Sequence, residues 1–88
     1  MTFRFSGTLM RFVDYSKEVT IDAPDLREAL TGLCTRFPSV RPVLYDGSGR
    51  VRETHRLFLN DEQLAGRDEN PALKSGDRVE VLTAIAGG

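Results

Sequence analysis

The chain has 88 residues, with 12 basic and 13 acidic side chains and a formal net charge of −1. This length fits one domain with a small core and leaves little room for an internal catalytic pocket. The basic residues are dispersed, which disfavours non-specific binding to nucleic acid or to an anionic membrane. The single cysteine, Cys34, excludes an internal disulfide or a multi-cysteine zinc site and fits a reducing cytoplasm. Met1-Thr2-Phe3-Arg4-Phe5 lacks the apolar stretch of a signal peptide, and no run reaches transmembrane length. The expected location is the cytoplasm.

Residues 2–6 alternate polar and apolar, with Phe3 and Phe5 on one face, as in a half-buried strand. Gly7-Thr8 starts a turn, after which Leu9 and Phe12 can pin the chain to a core. Residues 17–22 alternate again, with Val19 and Ile21 inward, and complete a hairpin. Pro24-Asp25 opens a helix, with Asp25 as cap and Glu28 three residues on in a capping box. Leu26, Ala29, Leu30, Leu33 and Cys34 then recur at helical spacing to about Arg36, and Phe37-Pro38 stops the helix.

Residues 42–45 read as a short strand, which Pro42 places at an edge. Asp46-Gly47-Ser48-Gly49 is a turn by composition, and 50–56 reads as a mobile loop or ragged strand. Leu57-Phe58-Leu59 is a strand followed by a turn at Asn60-Asp61-Glu62. Residues 63–73 show little periodicity and read as loop with one helical turn at most. Lys74-Ser75-Gly76-Asp77 turns into a last strand with Val79 and Val81 inward. The order β-β-α-β-β-β predicts an α+β fold with one helix across one face of a mixed sheet. The β-grasp arrangement satisfies it, with the first and last strands adjacent at the centre. The expected division is a domain over 1–83 and a flexible C-terminal tail over 84–88.

That tail, Ala84-Ile85-Ala86-Gly87-Gly88, follows the last strand directly. A narrow, side-chain-free end bearing a free carboxylate suits threading into another protein's active site. Together with Leu57-Phe58-Leu59-Asn60-Asp61-Glu62 and Lys74-Ser75-Gly76-Asp77-Arg78-Val79, it makes the whole chain resemble the ThiS/MoaD sulfur-carrier proteins, which are ubiquitin-like. His55-Arg56-Leu57 and the longer loop 46–54 are similar to the subgroup serving cysteine or specialised-metabolite synthesis.

The resemblance implies a carrier rather than an enzyme. A ubiquitin-activating-type adenylating and sulfurtransferase enzyme, using ATP and Mg²⁺, would adenylate the Gly88 carboxylate. A sulfur nucleophile would then convert it to a thiocarboxylate, and an acceptor sulfur-transfer synthase would receive the sulfur. No cofactor bound by this chain is implied, nor any nucleic-acid or membrane partner. Gly87, Ala86 and Ile85 would lie in the partner's tunnel, and Phe58 and Leu82, on the face opposite the helix, would form the docking patch. Two other roles share the same activation chemistry. One is the small subunit of molybdopterin synthase, and the other is a ubiquitin-like modifier conjugated through Gly88.

The remaining candidates read as structural. Cys34 lies on the helix's apolar stripe, as a buried cysteine would. His55, the only histidine, sits in a polar stretch without a nucleophile or metal partner beside it and reads as solvated. Asp61-Glu62 and Asp68-Glu69 read as solvated turns, and Gly47-Ser48-Gly49 lacks the Lys-Ser/Thr of a phosphate loop.

Overall fold

The computed structural model describes residues 1–66 and 69–83. Five strands form one sheet: β1 (Thr2–Phe5), β2 (Glu18–Thr20), β3 (His55–Leu59), β4 (Glu62–Gln63) and β5 (Arg78–Thr83). Their spatial order is β2-β1-β5-β3-β4, so the first and last strands are neighbours at the centre. β1 and β5 run parallel, with Phe3 opposite Val79 and Phe5 opposite Val81. The other pairings are antiparallel. The 11-residue helix α1 (Leu26–Arg36) supplies the covering layer through Leu26, Ala29, Leu30, Leu33 and Cys34. This is the β-grasp arrangement expected from the sequence.

The period-2 alternation sorts side chains as expected. Phe3, Phe5, Val19, Leu57, Val79 and Val81 are buried in one core with the helix stripe. The rings of Phe3 and Phe5 stack at 5.9 Å between centroids. Leu9 is buried and Phe12 packs against the core from a 3₁₀ segment, Gly7–Val13.

Helix α1 begins where the sequence places it. Asp25 accepts from the Glu28 N–H at 2.9 Å, which satisfies one donor that the first helical turn leaves without a partner. The loop read as featureless satisfies two more: Leu26 N–H donates to the Pro71 carbonyl at 3.1 Å, and Arg27 N–H to Asn70 Oδ1 at 2.7 Å. Residues 69–73 therefore dock by capping rather than by periodicity.

Two expectations are corrected. Residues 42–45 are not an edge strand: a 3₁₀ turn, Pro38–Val40, leads into a short helix α2 (Arg41–Leu44), and only Tyr45 bridges to Val51. Pro42 occupies the first helical turn, where its missing N–H costs nothing. The fifth strand is instead β4, joined to β3 by Asn60-Asp61. Both turn residues have positive φ, at 51° and 72°, which matches the right-handed twist of a two-residue hairpin.

Residues 50–56 are also not a loose loop. A four-residue helix leaves carbonyls without intrahelical donors, and this stretch provides them. Arg52 donates from its guanidinium to the Pro42 carbonyl at 3.0 Å and from its backbone to Leu44 at 2.8 Å. His55 Nε2 donates to the Val43 carbonyl at 2.8 Å.

Candidate functional site

The candidate site is the end of β5 with the sheet face beside it. β5 is flanked by β1 and β3. Its last residue, Thr83, precedes Ala84-Ile85-Ala86-Gly87-Gly88. Those five residues, including the expected site positions Ile85, Ala86, Gly87 and Gly88, lie outside the described ones, as does Asp68.

Phe58 and Leu82 fall on the sheet face away from α1, as their strand phase requires. Arg56 is the cross-strand partner of Leu82, and Glu80 that of Phe58, so the two apolar side chains are diagonal neighbours. Both are half-buried. Arg4 extends the same face from β1, opposite Glu80, and pairs with Glu18 at 3.7 Å. The face therefore carries a compact apolar pair framed by charges of both signs. An exposed ion pair of this kind contributes little to stability but can orient an approaching partner.

The lead-in to β5 is held by a polar lock. Asp77 is buried and its carboxylate accepts from Asn60 Nδ2 at 3.1 Å and from the Lys74 N–H at 2.9 Å. Asn60 Oδ1 in turn accepts from the Arg78 N–H at 2.9 Å. The hairpin turn after β3 and the turn before β5 thus fix each other, with Gly76 at φ 93° closing the second turn. This explains why Asn60 and Gly76-Asp77 are the residues that carry the sequence signature.

The Asn60 side-chain bond, then the Lys74 backbone bond, hold the Asp77 carboxyl below its ordinary value of 3.8, against the opposing effect of desolvation. A lowered folded-state pKa stabilises the fold above the ordinary carboxylate range. That contribution disappears as pH falls through the lowered value. Asp77→Asn is expected to be less stable than wild type at neutral pH and to converge with it in strong acid. Urea-unfolding midpoints across pH test this, and parallel pH curves for the two proteins would refute the lock.

His55 is the main residue misjudged from sequence. It is 7 % exposed and lies on the core face of β3, opposite Thr83, instead of in solvent. Its Nδ1 is 3.1 Å from Thr83 Oγ1. Nε2 donates to the Val43 carbonyl, so in the tautomer protonated at Nε2 alone Nδ1 accepts from the Thr83 hydroxyl. The available signal was phase: His55, Leu57 and Leu59 alternate as one inward face.

Nothing described forms a catalytic centre. Cys34 is 4 % exposed, and burial raises its thiol pKa although Arg41 opposes the shift, so it is a protonated core residue. Among the described residues no cluster of His, Cys, Asp and Glu could hold a metal ion, and no helix is long and apolar enough to cross a membrane. Two open grooves among the described residues have volumes of about 390 and 370 Å³.

The model of the ThiS family matches residues 3–88. No curated protein matches the sequence. Among solved structures the chain is similar to CysO in the BexX/CysO complex of Amycolatopsis orientalis, at 21 % identity and a TM-score of 0.82, covering 99 % of this chain and 98 % of that one. It is similar to CysO of Mycobacterium tuberculosis at 22 % identity and TM-score 0.80, covering 96 % and 98 %. It also resembles the small archaeal modifier protein 1 of Haloferax volcanii at 18 % identity and TM-score 0.77, covering 96 % and 95 %.

Proposed function

Because the chain belongs to the ThiS family of ubiquitin-like sulfur carriers, we propose that its Gly88 carboxylate is converted to a thiocarboxylate that delivers sulfur to a small molecule. The observation that carries this reading is the family match, which runs through Gly87-Gly88, the last two of the five residues that follow β5 in sequence.

The chemistry follows from the carboxylate. An α-carboxyl has a pKa of about 3.3–3.7, so at neutral pH it is an anion and a poor electrophile. An activating enzyme with Mg-ATP lets a carboxylate oxygen attack the α-phosphorus, and pyrophosphate leaves. Sulfide then attacks the acyl carbon of the adenylate, AMP leaves with the C–O bond electrons, and the C-terminal thiocarboxylate remains. Its sulfur attacks an electrophilic carbon of the acceptor on a second enzyme and displaces that carbon's leaving group, and water then cleaves the resulting thioester, leaving the sulfur on the acceptor and returning the Gly88 carboxylate. The chain is a co-substrate in both steps, and ATP and Mg²⁺ act on the activating enzyme.

The surface has matching parts. Phe58 and Leu82 form the apolar centre of the docking patch, while Arg4, Arg56, Glu18 and Glu80 form its charged border. Gly87 keeps the tail slim enough for a partner's tunnel, and Ile85 and Ala86 contact that partner. The similarity to CysO favours cysteine or a related sulfur metabolite as the product. The similarity to an archaeal modifier protein favours a second reading, conjugation of Gly88 to a lysine.

Intact mass spectrometry after incubation with the cognate activating enzyme, Mg-ATP and sulfide tests the proposal, with Gly88-deleted protein alongside. The expected result is exchange of one oxygen for sulfur in the intact chain only. An unchanged mass, with an enzyme competent on another carrier, would overturn it. Larger adducts in cells would favour the modifier.

A further inference from the structure

We propose that His55 is a positioning residue: it clamps Thr83, the root of the C-terminal tail, to helix α2 and so sets the direction in which the reactive end leaves the domain. The proposal rests on the carrier reading above for its kinetic arm, and on geometry for the rest.

Thr83 is poorly held by the sheet. β1 pairs with β5 only as far as Val81, so the last two residues of β5 have a partner on one side alone. On that side Thr83 faces His55, whose backbone N–H points away from β5 and donates to the Arg52 carbonyl at 3.1 Å. The link at this pair is the bond between the ring and the hydroxyl, at 3.1 Å. The other ring nitrogen is tied to the Val43 carbonyl at 2.8 Å. That carbonyl belongs to α2, which Arg52 bonds at Pro42 and Leu44. One buried imidazole thus connects the root of the tail to the excursion between α1 and β3.

The consequence for transfer is conformational. Gly88 is five residues beyond Thr83, within about 17 Å for an extended chain. A root already fixed leaves less freedom to be lost when the tail enters a partner's active site. The docking patch sets how tightly the domain binds. The clamp sets how often the bound tail is aligned for reaction.

The bond can be cut from both ends. Thr83→Val removes the hydroxyl and keeps the shape. His55→Gln keeps an amide near the Nε2 position, within reach of Val43, and abandons Thr83. Thr83→Ser preserves the hydroxyl. With the cognate activating enzyme, Thr83→Val and His55→Gln are expected to lower kcat for adenylation about tenfold, in line with the cost of misplacing a reacting group. KM should stay within about twofold, since the patch that sets it is untouched. Thr83→Ser should retain wild-type kcat, and the double variant should be no worse than either single one, because both remove the same link.

Heteronuclear ¹H–¹⁵N relaxation at the amides of residues 82–84 supplies an arm that needs no enzyme. The expected result is greater local motion in Thr83→Val with the remaining strands unchanged. If relaxation and kcat in Thr83→Val both match wild type, His55 is a satisfied core residue and the proposal fails. If wild type itself is not activated, the carrier reading fails while relaxation still decides the clamp.

Discussion

Phe3→Ala is expected to lower the melting temperature by about 15–30 °C. Phe3 is 0 % exposed on the central strand β1, with Val19 on one side, Val79 on the other and the Phe5 ring stacked beside it. Removing a buried phenylalanine costs about 3–5 kcal/mol, combining lost transfer energy with an unfilled cavity. A domain of this size has a total stability of about 5–15 kcal/mol, and each kcal/mol shifts its melting point by about 4–8 °C. Tyr15→Ala is the internal comparison. Tyr15 is 69 % exposed, so its loss should cost no more than about 0.5 kcal/mol. Calorimetry on the two variants checks this, and equal melting points for both would contradict the assigned core.

Gly87→Ala is expected to behave in the opposite way, with an unchanged melting point and about a hundredfold slower thiocarboxylate formation. Gly87 lies four residues past β5 in sequence and has no side chain to contribute to a core. On the carrier reading the reaction depends on it. A methyl group one residue before the reacting carboxylate meets whatever wall surrounds the tail, and a shift of about 1 Å at the reacting atom is worth about a hundredfold in rate. Single-turnover adenylation assays beside thermal melts separate the two properties. A normal rate in Gly87→Ala would mean that the terminal glycines are not threaded through a narrow passage.

Strand phase and helix phase were legible because both are periodic. Phe3 and Phe5, Val79 and Val81, and the stripe from Leu26 to Cys34 repeat at the spacing of the element that buries them. The Asp25 cap was legible because its partner is three residues away. What escaped depends on contacts distant in sequence. Residues 69–73 dock through the helix N–H groups some 43 positions earlier, which no local pattern encodes. Helix α2 is only four residues long, too short for a full amphipathic period, although Val40 and Leu44 are buried four apart and Pro42 sits in a first-turn position. A polar composition around His55 suggested solvent, yet its strand phase placed it inward. The outward placement of Phe58 and Leu82 was legible from phase, whereas the charged border around them needed the register.

The parallel contact between β1 and β5 also governs how the protein is made. Residues 2–5 can find only the β2 hairpin while synthesis proceeds, because their other neighbour is residues 78–81. An isolated two-stranded hairpin is marginal in water, so the sheet waits until residues 78–81 have been made. Closing so long a loop is slow compared with local pairing. β5 is therefore the strand whose arrival completes the sheet. A copy lacking β5 cannot assemble the sheet, which confines the proposed docking face to molecules that carry this strand.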